Sequence, residues 1–213
     1  MLLKSLRLIP WLLMLSLAVL LGGMSMRYFS FRPDINFLRV KQFVVHEIIW
    51  RTAFYVHISG GIVAIVTVPL QFLMRSRQGN AKLHRTLGKV YLGAILFVGA
   101  PAGFYMALYA NGGPWASTGF AVMSMLWFYT TLTAYQSARN RKFKEHSQWM
   151  VRSYALTFSA ITLRLWVPLC SIYFHMEPGL VVTLSAWVSW GFNLIFAEFL
   201  LLLDRRLRLR IAY

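Results

Sequence analysis

Trp50-RTAFYVHISGGIVAIVTVPLQFL-Met74 runs for 25 residues with one charge, Arg51, beside its start, and Arg75 closes it. Bilayer hydrocarbon is about 30 Å thick and takes about 20 helical residues to cross, so this stretch reads as a membrane-spanning helix. Working outward, comparable apolar runs cover residues 8–26, 86–110, 115–138, 149–174 and 180–203, which makes six. The whole chain agrees: 58% of 213 residues are apolar, only 13% are charged, and mean hydropathy is +0.57. That composition is far from an ordinary soluble domain. The expected fold is therefore all-α, a polytopic bundle of six transmembrane helices. Residues 1–26 form the first helix, 27–49 an outer connection, 50–203 a five-helix core and 204–213 a basic tail. Lys4 and Arg7 ahead of the first run resemble a signal peptide, but no small-x-small site follows it, so the run reads as a retained span.

The net charge of +16 would suggest nucleic acid in a soluble protein, so the placement of the cations matters. Sixteen Lys and Arg fall at the N-terminus, in the second and fourth connections and in the tail. The opposite side carries five, Arg27, Arg32, Arg39, Lys41 and Arg51, and Arg164 lies inside a span. By the positive-inside rule both termini are cytoplasmic, and anionic headgroups account for the basic balance without nucleic acid. A bacterial inner membrane is the expected location. The outer connection opens with a turn at Arg32-Pro33-Asp34, and residues 36–49 fit a short amphipathic helix on the membrane surface. Cys170 is the only cysteine, which excludes an intrachain disulfide and any paired-Cys metal motif.

Ionisable groups inside hydrocarbon are costly and mark candidate sites. His57, Arg164 and Glu198 lie within spans, with His84, His146 and Arg152 at the inner edge. His57 shares a helical stripe with Gly60, Gly61, Ala64 and Gln71. The fifth run carries a seam through His146, Ser153, Thr157, Ala160, Arg164, Ser171 and His175, and the third through His84, Gly88, Tyr91, Ile95 and Ala102. His84 and His146 are matched in depth, and two imidazoles presented by different helices at one level suit axial ligation of haem b iron, with Arg85 and Arg152 beside the propionates. The plainer reading of interfacial histidines is contact with water or headgroups. His57, Gln71, Arg164 and His175 make a second, outer polar site. Arg152 and Glu198 fall at one depth and are expected to form an ion pair.

In chain order, His57-Ile-Ser-Gly-Gly61, Pro69-Leu-Gln71-Phe, His84-Arg85-Thr-Leu-Gly88-Lys-Val-Tyr91, His146-Ser-Gln-Trp149-Met150-Val-Arg152 and Thr162-Leu-Arg164-Leu-Trp-Val-Pro168 resemble the bacterial membrane proteins grouped as domain of unknown function 2306. The resemblance spans roughly residues 55–200 and implies a multi-span helical protein in which these residues recur. The arrangement of histidines is in turn similar to cytochrome b561 and ferric reductase bundles, although residues 115–138 contain no histidine.

Three functions follow from these readings. One is a haem b electron carrier between a quinol or cytoplasmic donor and an outer acceptor, with a quinone or another membrane redox subunit as partner. A second is a transporter or sensor of a small anion or lipid headgroup built on His57 and Arg164. A third is a non-catalytic subunit of a membrane assembly. Hydrolase triads, phosphate loops and dinucleotide fingerprints are absent from the sequence.

Overall fold

The computed structural model describes the backbone of residues 2–76 and 81–211 and the side chains of 12–71 and 81–204. Among the described residues it is all-helical, with no strand. The chain divides into two compact units, Met1–Met106 and Ala107–Tyr213.

The first unit begins with α1 (Leu2–Met26) and returns through α2 (Ile48–Ser76). A rod over Ala81–Ala107 completes it, built from α3 (Ala81–Gly93), a π-turn (Ala94–Gly99) and α4 (Ala100–Ala107). Pro101 explains the wide turn. Its ring would press on the carbonyl of Phe97 in a regular helix, and one extra residue per turn relieves that clash. Trp50, Phe54, Ile65 and Val68 of α2 are buried, as are Tyr91, Ala94 and Ile95 of the rod. Leu13, Val19, Leu20 and Phe97 remain exposed, a pattern suited to lipid rather than water.

Residues 27–49 differ from the expected single amphipathic helix. They form two 3-10 helices, Arg27–Ser30 and Asn36–Lys41, with α2 starting at Ile48. Local polar bonds hold this shorter path. Arg32 pairs with Asp34 at 2.8 Å, Gln42 Nε2 donates to the carbonyls of Pro33 and Leu38, and the Phe37 N–H donates to the Tyr28 hydroxyl. The Arg32 guanidinium holds the Asp34 carboxyl below the usual carboxylate range. Lys41 is the inward exception: it is buried, with Nζ 5.6 and 5.3 Å from the centroids of Phe37 and Phe43.

The second unit contains α5 (Gly113–Arg139), α6 (Phe143–Pro168) with a π-turn at Leu169–Tyr173, and α7 (Pro178–Ile211), each packed on the other two. Gly112 at φ 97° turns the chain into α5, and Pro114 in its first turn needs no helical N–H partner. At the other end Arg141 takes a left-handed conformation, φ 58°, while the Lys142 N–H caps the Ser137 carbonyl.

Among the described residues five segments are long and apolar enough to cross a membrane: Leu12–Ser30, Ile48–Gln71, Ala81–Ala107, Phe143–Tyr173 and Pro178–Asp204. The sixth expected span corresponds to α5, which is long enough at 27 residues but has no 18-residue stretch as apolar as those of the other five. Its hydroxyls are the reason. Thr118, Thr130, Thr131 and Thr133 each donate to the carbonyl four residues back, so these polar groups are satisfied within the helix.

Candidate functional site

In the first unit α2 and the π-turn meet at Gly60. A Cβ there would lie 2.8 Å from the Ala94 carbonyl oxygen and 2.9 Å from the Gly99 nitrogen, so only glycine allows this approach. One turn earlier, half-buried His57 places Nδ1 2.8 Å from the Gly99 carbonyl oxygen. A carbonyl only accepts, so Nδ1 carries the proton and, in the neutral ring, Nε2 carries the lone pair. This is the orientation a metal-ligating imidazole receives from a backbone carbonyl.

Gln71 belongs elsewhere. It lies 14 residues beyond His57 on the same helix, about 21 Å at 1.5 Å per residue, which removes it from the expected outer site. Its Nε2 instead donates to the His84 carbonyl at 3.1 Å, with Gly88 of α3 packed against it. Gln71 is buried, and its Oε1 has no hydrogen-bond partner among the described residues. His84 is half-buried with Nδ1 inside the unit, while Arg85 is exposed and its Nε donates to the Ala81 carbonyl.

In the second unit the seam of α6 faces α5 over its first half. His146 Nδ1 lies 2.8 Å from the Ala134 carbonyl oxygen, which fixes the same tautomer as at His57. Deeper, the Thr131 and Ser153 hydroxyls bond at 2.7 Å, and Trp127 Nε1 donates to Thr157 at 3.0 Å. The seam then ends. The π-turn at Leu169–Tyr173 shifts the helical phase, and Ser171 and His175 are exposed, His175 with a left-handed backbone, φ 47°. Arg164 turns the other way, Nη1 donating to the Ala160 carbonyl at 3.0 Å in the preceding turn. The expected grouping of Arg164 with His175 is thus undone by the wide turn between them.

Arg152 and Glu198 meet in a fork. Nε and Nη2 donate to Oε1 and Oε2, the second at 2.9 Å, and the guanidinium carbon lies 4.6 Å from the Trp149 ring centroid. Glu198 therefore engages the guanidinium that had been assigned to a propionate. Of the expected sites, His57, Gln71, His84 and Arg85 belong to the first unit, and His146, Arg152, Arg164, His175 and Glu198 to the second. Among the described residues no three His, Cys, Asp or Glu side chains gather as a metal-binding group.

Sequence reasoning passed over His46, which is exposed in the outer connection, and Asn193, which links Thr162 and the Ala155 carbonyl across α6 and α7. A polar stripe on α7 was the missing signal, since Ser185, Ser189 and Asn193 recur every four residues.

A family model described as predicted membrane protein (DUF2306) matches residues 54–201, a stretch that holds every site residue named above except His46. No curated protein and no solved structure matches the chain.

Proposed function

The chain belongs to this family of predicted membrane proteins, and from that premise we propose a haem b electron carrier of six spans, seated in a bacterial inner membrane with both termini cytoplasmic. One observation carries the haem reading: the imidazole of His146 is held by the Ala134 carbonyl so that Nε2 presents its lone pair. His84 is the matching ligand, chosen by depth, and exposed Arg85 is the cation for a propionate. Haem, when bound, supplies a one-electron couple. The protein's own part would be to fix the tautomer and pass electrons from a quinol or cytoplasmic donor to an outer acceptor.

Six spans rest on treating α5 as a crossing helix, which its internally bonded hydroxyls support. Orientation rests on sixteen cations against five.

An absorption spectrum of protein purified from haem-replete cells is the test. A Soret band and a reduced alpha band are expected. Ala at His84 or His146 should abolish the low-spin spectrum, while His57→Ala should leave it in place. A colourless protein that takes up no added haemin overturns the reading, and loss of the spectrum in His57→Ala alone moves the haem to the outer site.

A further inference from the structure

The second unit also contains an open cavity of about 520 Å³ that the haem reading does not use. Leu126 of α5 and Ile195, Phe199 and Leu202 of α7 wall it, and the Arg152–Glu198 fork lines it beside Trp149. Ile195 is 72% and Phe199 55% exposed, so the groove opens sideways, where a bilayer would supply acyl chains. The polar part of its wall is unusual for such a groove because it presents both charges. Arg152 spends Nε and Nη2 on Glu198, leaving the Nη1 protons as donors, and each Glu198 oxygen retains a lone pair. In an apolar setting these remaining groups favour a partner that accepts and donates at once.

We propose that this groove binds one phospholipid whose headgroup joins a phosphate to a primary ammonium. The phosphate accepts from Arg152 Nη1, the ammonium donates to Glu198, and an acyl chain lies against Leu126, Leu194 and Ile195. Trp149, with Lys142 and Lys144 before it, suits the headgroup level of the membrane. Charge complementarity selects this class. A choline headgroup has no N–H for Glu198, and a glycerol headgroup has no cation. A free anion would leave the apolar walls unfilled, and a quinone ring, which only accepts, would offer no donor to the remaining lone pairs of Glu198. The proposal stands whether or not haem is bound.

Native mass spectrometry of the full chain in detergent, titrated with phosphatidylethanolamine, phosphatidylcholine and phosphatidylglycerol of identical chains, tests it. One ethanolamine lipid should be retained about tenfold more tightly than either other lipid, the scale of one charge-assisted hydrogen bond. Glu198→Gln should erase that preference. Ile195→Trp, at an exposed position that takes no part in the fork's hydrogen bonds, should fill the groove and weaken retention while the thermal unfolding midpoint stays unchanged. Equal binding of the three lipids overturns the proposal. So does undiminished binding by folded Ile195→Trp, or displacement of the lipid by an equimolar short-chain quinone.

Discussion

Gly60 and Gly61 are adjacent in sequence and opposite in consequence. Gly60→Ala drives a methyl group into the backbone of the π-turn, which cannot yield as a side chain would. It should cost about 1–3 kcal/mol and break the His57–Gly99 bond. Gly61→Ala meets nothing within 4 Å and should be neutral or stabilising by up to about 1 kcal/mol, since alanine is the better helix former. Thermal unfolding of both variants in one detergent checks the contrast, and equal midpoints would show that the close approach is absent. Glu198→Gln should lower stability by less than the ~3–5 kcal/mol of a fully buried pair, because the Glu198 side chain is 47% exposed. Combining it with Arg152→Gln should restore part of the loss. If the double variant is no better than Glu198→Gln, the pair does not couple. At this scale the sequence discloses which side chains are polar inside an apolar run. It does not disclose their partners when these are carbonyls, such as those of Gly99 and Ala134, because every residue carries one.

Helix length and lipid-facing apolar character were legible for α2 and α7, whose runs lie inside the helices observed, and for α6, whose run continues through the π-turn to residue 174. The outer connection was not, since residues 36–49 have apolar spacing that fits a helix while side-chain bonds from Arg32, Gln42 and Tyr28 select a tighter path. Within it, burial pulls the Lys41 amine from 10.5 down to about 8. Below about pH 8 the amine is charged in both folded and unfolded chains, and the cost of burying that charge is fully present. Between about 8 and 10.5 the unfolded chain binds more protons than the folded one, so stability rises with pH across that window. Hydrogen exchange over residues 27–49 should therefore slow relative to intrinsic rates as pH is raised from 8 towards 10. Lys41→Met should remove this dependence, and an unchanged profile in that variant would assign the effect to other groups.

Across the molecule, cysteines introduced at Asn111 and in the 205–213 tail of a protein whose Cys170 is replaced by Ser should label from opposite sides of the membrane. Labelling of both from one side would refute both termini being cytoplasmic. The expected orientation rests on the asymmetry of the cations, a sum over many residues, and such sums survive local error. The seam from His57 to Gln71 was overextended for the converse reason: a shared face says nothing of the distance along it. Helical phase failed wherever a wide turn intervened, as at Ser171 and His175. The π-turn of the rod has a historical consequence as well. It holds a surplus residue within a span, at the one place where Gly60 admits it, and so resets by about 100° the direction in which α4 presents its side chains. Lineages that lose the surplus residue lose the reason for a glycine opposite it. Deletion in the rod and relaxation at Gly60 should therefore be inherited together.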